Sequence, residues 1–447
     1  MSEKLFVGSY YSPYDFPLPE ILTGHINRNK EAFSFMDYPE IHVCILKQAS
    51  VKAAIISIDL LEMDSNLCMD FRKQVGSVLG ISADRVMISC THCHTVPAAI
   101  KLGLVDISER FVESMRQALL NAVRKADSSY LECNVFSSVG DCKGIGINRR
   151  KLIDGQIVMA PNPDIPIDSS VVCYWFFPVD SDKPLCCFVN HALHATTLDT
   201  SIFQVSADYP GRMRRRIIDR LGSINVLFFN GTCGDVRPAL IHEDGGFRGG
   251  FEEDLDDIGN RLGDSVLESL EKMKSEKMKS EKPDLRVESN ALSLRYDYVA
   301  RANAKRRVLS ESSSEARQIN QDLMSAAFAA WDVYIREEEK EDLPESVPFI
   351  CQCISISPNA KVLGLEGEMF TETGLKIKQE TGNRIIIAAY SNGSVGYVPT
   401  EEALAAGGYE AEDAYKIYWK NAPFTKDTSY YITEESINLI KQTDITG

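Results

Sequence analysis

Six short apolar runs, at 41–47, 52–60, 85–90, 171–178, 185–190 and 225–230, punctuate the first part of this 447-residue chain, with amphipathic patterns between them. Runs of that length read as buried strands. Ile107 to Lys125 places Phe111, Met115, Leu119, Leu120 and Val123 at helical spacing, and Tyr209 to Leu221 follows the turn-like Ala207-Asp208-Tyr209-Pro210-Gly211. The alternation predicts an α/β protein of mixed sheets flanked by helices. A long helix is predicted from Phe251 to Glu281, its charged end a solvated one. Strands resume at 348–356, 361–366 and 384–391 after a helical excursion at about 299–341. That excursion carries the apolar patch Met324 to Trp331, for which core packing, a lid and a dimer surface in a homo-oligomer are all open readings. With no Pro/Ser/Gly-rich linker, a single domain over 1–447 is expected.

Lys plus Arg number 48 against 64 Asp plus Glu, a net charge of −16 that repels phosphate backbones and argues against a nucleic-acid partner. Met1 to Val7 lacks the basic and apolar stretches of a secretory signal, and no run approaches the roughly 18 apolar residues of a membrane span. A cytoplasmic protein without stable membrane association is expected. Of twelve cysteines, Cys44, Cys173, Cys186, Cys187, Cys351 and Cys353 lie in apolar strand-like runs, where free thiols act as small hydrophobes. The Cys90–Cys93 spacing has no second such pair, so a four-cysteine structural zinc knuckle is not expected.

Function is signalled by the histidines. There are seven, and four fall in two close pairs, His92 with His94 and His191 with His194, each just after a predicted core strand. Alternation along an extended strand would put His92 and His94 on one face. Neutral imidazole is the commonest protein ligand for zinc, and a catalytic zinc keeps three or four protein ligands with one open position. A carboxylate is the natural further ligand. Gly364-Leu365-Glu366-Gly367-Glu368 offers two after a strand, between which chemistry alone does not choose; either could instead stabilise a helix N-terminus. His191 reads as a core histidine or as one that orients His194.

Thr91-His92-Cys93-His94-Thr95-Val96-Pro97 resembles the Thr-His-x-His-Ser-x-Pro segment of the neutral/alkaline ceramidase family. His194-Ala195-Thr196-Thr197-Leu198 is similar to its His-Gly-Thr-Ser-Met segment, Gly367-Glu368-Met369-Phe370-Thr371 to Gly-Glu-Phe-Thr-Thr, and Tyr397-Val398-Pro399-Thr400 to Tyr-Ile-Thr-Thr. The segments occur in the family's order. With Gly146 to Arg150 and Ser206 to Gly211, the resemblance covers roughly residues 5–425. It implies a ceramidase-like catalytic domain in which His92, His194, Glu368 and Tyr397 bind one Zn2+, with His94 beside it as a substrate or water contact. The chain stops too soon after Tyr397 for the further β-sandwich domain of many ceramidases, so none is expected.

Asn230-Gly231-Thr232-Cys233-Gly234-Asp235-Val236-Arg237-Pro238 resembles the family's Asn-x-x-Gly-Asp-Val-Ser-Pro, with Arg237 where the catalytic serine stands. A guanidinium is no nucleophile, but its planar fork suits a carboxylate, a phosphate or a developing oxyanion. The expectation is a zinc-dependent hydrolase that cleaves an amide, lactone or ester of a small soluble, anionic substrate with a metal-activated water. His94, Arg237 and Asp235 are its candidate catalytic residues; Arg149, Asn148, Gly231 and Cys233 would bind substrate, with amides of the Gly231 to Gly234 turn lining the oxyanion position. A thiol nucleophile at Cys93 or Cys233 is a further reading. The alternatives are a zinc-dependent acyl-transfer or cyclising enzyme of a specialised biosynthetic pathway, and a non-catalytic binding protein that retains the fold.

Overall fold

A computed structural model describes residues 4–444 apart from 27, 29, 278, 304–314 and 340–341. Its core is an eight-stranded mixed sheet. In spatial order the strands are Asn225–Asn230, Cys186–His191, Ser170–Pro178, Tyr130–Asp141, Leu5–Pro13, Glu40–Gln48, Val51–Ile58 and Val86–Cys90. Most pairs are antiparallel, but Cys186–His191 runs parallel to Asn225–Asn230, and Val51–Ile58 to Val86–Cys90. Alternate side chains of these strands enter two cores, one on each face of the sheet. Ile41, Val43, Ile45, Ile56 and Ile88 face one core, and Cys44, Leu46, Ile55 and Met87 face another.

The first core is closed by helices Ser65–Leu79, Glu109–Asp127, Asp208–Leu221 and Glu252–Ser275, which contribute Phe71, Phe111, Met213 and Leu262. The second core is closed by another sheet, Arg286–Arg295, Ser346–Ser357, Ala360–Leu365 and Ile386–Ala388, through Ile354, Val362 and Ile386. Helices Thr371–Thr381 and Thr428–Gln442 cover that sheet's far side with Ile377, Ile432 and Leu439. The result is a helix–sheet–sheet–helix stack, in keeping with the mixed α/β class expected from the runs. All twelve cysteines are free and buried. No helix among the described residues is long and apolar enough to cross a membrane.

Two strands that the sequence did not announce sit in the middle of the large sheet, Leu5–Pro13 and Tyr130–Asp141. Gly8 and Ser9 interrupt the first, yet a Cβ at Gly8 would lie 2.3 Å from the Ala126 carbonyl, so glycine lets helix Glu109–Asp127 approach. The strand expected at 384–391 shortens to Ile386–Ala388, and the helix expected to reach Glu281 stops at Ser275. In the excursion, helices Tyr298–Asn303 and Glu315–Glu338 are present; 304–314 and 340–341 lie outside the described residues. Trp331 and Ile335 of the second helix pack with Tyr415.

Candidate metal centre

The site lies beyond the carboxyl ends of three strands, where open α/β sheets generally place ligands. Strand Val86–Cys90 leads to His92 and His94, Cys186–His191 to His194, and Ala360–Leu365 to Glu368. The two histidine segments are tied by a bridge between Cys93 and Ala195, with the His94 amide donating to the Ala195 carbonyl at 3.2 Å. Glu368 and Tyr397 face each other in a short parallel ladder.

His92 and His94 converge by a different route from strand alternation. The strand ends at Cys90, and His92 takes φ +61°, a left-handed conformation that side chains seldom adopt. Such local strain is held in place by surroundings, here a stack of the His92 ring on Tyr390 with centroids 4.0 Å apart. The outcome is three buried imidazoles, His92, His94 and His194, whose ligand atoms lie within 4.8 Å of one another.

Proton positions follow from the carbonyls. His92 Nδ1 lies 3.2 Å from the Leu61 carbonyl and His194 Nδ1 lies 2.7 Å from that of Cys233, so in both rings Nδ1 carries the proton and Nε2 a lone pair. Those lone pairs face Glu368 Oε2 at 3.2 and 3.1 Å, and Oε2 is buried without a hydrogen-bond partner. His94 Nε2 is 3.1 Å from His92 Nε2. His92 Nε2, His194 Nε2 and Glu368 Oε2, gathered this closely with no ring proton between them, repel unless a cation joins them. Ligand bonds of about 2.0–2.2 Å in a tetrahedron set donor atoms roughly 3.3–3.6 Å apart, so the observed 3.1–3.2 Å needs only a few tenths of an ångström of opening to fit a divalent ion such as zinc. Burial and the Arg149 charge hold His194 down to about 4, and burial with the neighbouring imidazoles lowers His94, which keeps both rings neutral.

Glu368 is thus separated from Glu366 by geometry. Gly367 at φ +76° turns the chain between them. Glu366 is buried on the other side, near Lys420 and Arg72, and burial pushes it up to about 8. The second Glu368 oxygen, Oε1, accepts a 2.5 Å hydrogen bond from the Tyr418 hydroxyl. The Tyr397 hydroxyl accepts from Arg149 at 2.9 Å, and Arg149 also reaches His194 Nε2 at 3.4 Å.

A cavity of about 580 Å3 opens onto these groups, within the size range of small-molecule sites. His94, His194, Glu368, Tyr397, Arg149 and Arg237 all line it. Arg237 lies over the Phe247 ring at 4.8 Å and pairs with no carboxylate among the described residues. Burial and the Arg149 charge lower its pKa to about 10. Much of the remaining wall is apolar, including Leu102, Leu104 and Val105, and Leu323, Met324 and Phe328 of helix Glu315–Glu338. Of the three readings of that helix, one face therefore borders the cavity.

Several expected site residues do other work. Arg149 is held by Glu410 at 2.9 Å besides Tyr397 and His194, so its fork is engaged. Asp235 and Asn148 lie outside the cavity lining. Asp235 accepts from the Thr371 amide and hydroxyl at 2.9 and 2.8 Å and from Asn148 Nδ2 at 2.8 Å, which anchors the start of helix Thr371–Thr381. The Gly231 and Gly234 amides donate to the His191 and Met369 carbonyls, so neither faces a substrate oxyanion. Cys233 contributes its carbonyl to His194, while its thiol contacts Asn230 and Tyr390 and burial pushes its pKa up. The Cys93 thiol is likewise buried, donating to the Ser206 carbonyl at 2.9 Å. His191 does not orient His194; its Nδ1 meets the Ser170 carbonyl at 3.1 Å.

Sequence reasoning passed over His25, Arg28, Tyr409 and Tyr418, which also line the cavity. One faint signal preceded His25. Gly24 has φ +96°, and a Cβ there would fall 2.2 Å from His94 Nδ1, so this glycine lets the segment press against the site.

The structure has the neutral ceramidase fold. It matches the crystal structure of neutral ceramidase from Pseudomonas aeruginosa with a TM-score of 0.74 and 14% identity, over 99% of this chain and 75% of that one. A ceramidase complexed with C2 matches with the same TM-score and identity, over 98% and 75%. No family model and no curated protein matches by sequence.

Proposed function

We propose that the chain is a zinc-dependent hydrolase of an amide, lactone or ester whose substrate carries a negative group. The observation that supports this most is the convergence of three unprotonated acceptor atoms, His92 Nε2, His194 Nε2 and Glu368 Oε2, on one point at the wall of a cavity. His92, His194 and Glu368 would hold the ion, with Tyr397 completing the set. Bound there, zinc supplies Lewis acidity that activates water and polarises a carbonyl.

The chain's own residues do the rest. The Leu61 and Cys233 carbonyls fix the two ligand rings by their Nδ1 protons. His94, neutral and lining the cavity with Nε2 beside His92, is placed to take a proton from water and return it to the leaving group. Arg149, braced by Glu410, polarises the Tyr397 hydroxyl. Arg237 holds the substrate's negative group. For an amide, water adds across the carbon–nitrogen bond, and an acid and an amine are released without oxidation or reduction.

The likeness of fold to neutral ceramidases is compatible with amide hydrolysis. Arg237, which lines the cavity without a carboxylate partner among the described residues, points away from ceramide itself. The test is reconstitution: zinc-loaded protein should release amine from acyl amides, and Glu368→Gln should lose both bound zinc and release. Full metal loading without hydrolysis of amides, esters or lactones would overturn the proposal and favour a binding protein.

A further inference from the structure

The cavity divides chemically, and the division names a substrate class. Taking the hydrolase reading as its premise, we propose that the substrate is an N-acyl amino acid, its carboxylate received by Arg237 and His25 and its hydrocarbon part by the apolar wall.

Three arginines line the cavity, and two are engaged. Arg28 donates to the His94 and Asp199 carbonyls, and Arg149 to Glu410 and Tyr397. Asp413, the other carboxylate on the wall besides Glu368, lies 3.0 Å from Lys416. Arg237 therefore brings a positive charge into the cavity with only the Phe247 ring and the Met159 sulfur against its guanidinium among the described residues. Partly desolvated charge of that kind favours an anionic ligand, and the planar fork matches a carboxylate.

His25 supplies the second donor. Its ring lies 4.9 Å from that of His94, and its Nε2 is buried without a hydrogen-bond partner among the described residues. It lines the same cavity, and Arg237 is among the charges that act on it. A buried polar nitrogen with nothing to bond is costly, and a ligand oxygen would satisfy it.

Both groups line the same cavity as His94, Glu368 and Tyr397, and the His25 ring lies beside that of His94. The carboxylate they receive therefore sits close to the bond cleaved, as it does in an N-acyl amino acid, where one carbon separates amide nitrogen from carboxylate. From the same point, Leu102, Leu104, Val105, Leu323, Met324 and Phe328 offer a surface for hydrocarbon and no charge. A wholly polar small molecule would leave that surface in water, and a neutral amphiphile would leave Arg237 and His25 unmet. Hydrolysis would yield a carboxylic acid and a free amino acid.

Binding tests this apart from catalysis. Metal-free protein is titrated calorimetrically with N-octanoylglycine and with its uncharged methylamide. Hydrogen bonds to a charged group predict that the carboxylate binds about 10- to 100-fold more tightly. Arg237→Gln should remove most of that preference, Arg237→Lys should keep part of it, and His25→Asn should lower it by about 10-fold. Equal affinity for the two compounds, or a preference that survives Arg237→Gln, overturns the proposal. If zinc-loaded protein hydrolyses the methylamide as fast as N-octanoylglycine, the hydrolase reading stands and the anion subsite falls. If the carboxylate preference in binding is present and neither compound is hydrolysed, the hydrolase reading fails while the subsite survives.

Discussion

Replacing Tyr418 by Phe removes a single hydroxyl from the site. That hydroxyl donates to Glu368 Oε1 at 2.5 Å, while the ring packs among Leu61, Ile100 and Leu102, so Phe preserves the packing. The bond leaves Oε2 alone facing His92 and His194, which would commit Glu368 to one donor atom and keep a coordination position open. A hydrogen bond to a charged acceptor contributes about 1.5–3 kcal/mol. Loss of a partner behind a metal ligand typically costs 10- to 100-fold in metal affinity. The two figures agree, since about 1.4 kcal/mol corresponds to tenfold. Tyr418→Phe should weaken zinc binding by about 10- to 100-fold, read by competition against a chromophoric chelator at fixed pH, with native circular dichroism retained. A dissociation constant within about twofold of the parent in a folded variant would refute the claim that Tyr418 positions Glu368.

Asp235→Ala should destabilise the fold by about 3 kcal/mol, because the Thr371 amide, the Thr371 hydroxyl and Asn148 Nδ2 lose a buried acceptor. Chemical denaturation reads that loss, and zinc stoichiometry in the folded fraction should stay the same; lost zinc at full stability would restore Asp235 to the chemistry. Glu40 gives a pH dependence. Burial would raise its pKa, but His42 and Arg214 hold it down to about 2 from a reference of 4.5. Its contribution, roughly 3 kcal/mol at about 1.4 kcal/mol per pKa unit, is fully present above the reference value and is lost as pH falls towards 2. Glu40→Gln should flatten that acid limb in denaturation curves taken between pH 5 and pH 2, and an unchanged slope would contradict the assignment. Iodoacetamide should leave the native protein unlabelled and modify its twelve cysteines on unfolding. Rapid labelling of Cys93 or Cys233 in the native state would revive a thiol nucleophile.

The sequence made legible what periodicity and order encode. Continuous apolar runs marked strands such as Val51–Ile58 and Asn225–Asn230, because burial on both faces keeps their middles, 53–56 and 226–229, wholly apolar. Central strand Tyr130–Asp141 was hidden because it carries Glu132, Asn134, Ser137 and Ser138 among its apolar residues. Histidines after strands pointed to the cluster of His92, His94 and His194, and the ordered segments to Glu368 beside it. Local pattern could not say that a glycine at φ +76° turns Glu366 away, nor that His92 would meet His94 through a left-handed residue. Asp235, Gly231 and Cys233 were misjudged for one reason: they hold the site's scaffold through bonds to Thr371, His191 and His194, partners distant in sequence. His25 was missed because its approach to His94 depends on a contact across 69 residues that no periodicity reports.

The central claim is that one divalent ion joins His92, His194 and Glu368. Crystals grown with zinc and measured at its absorption edge test it most directly. The account predicts one anomalous peak about 2.0–2.2 Å from His92 Nε2, His194 Nε2 and Glu368 Oε2. Ordered side chains with no peak among them, or zinc held only elsewhere on the chain, would contradict it.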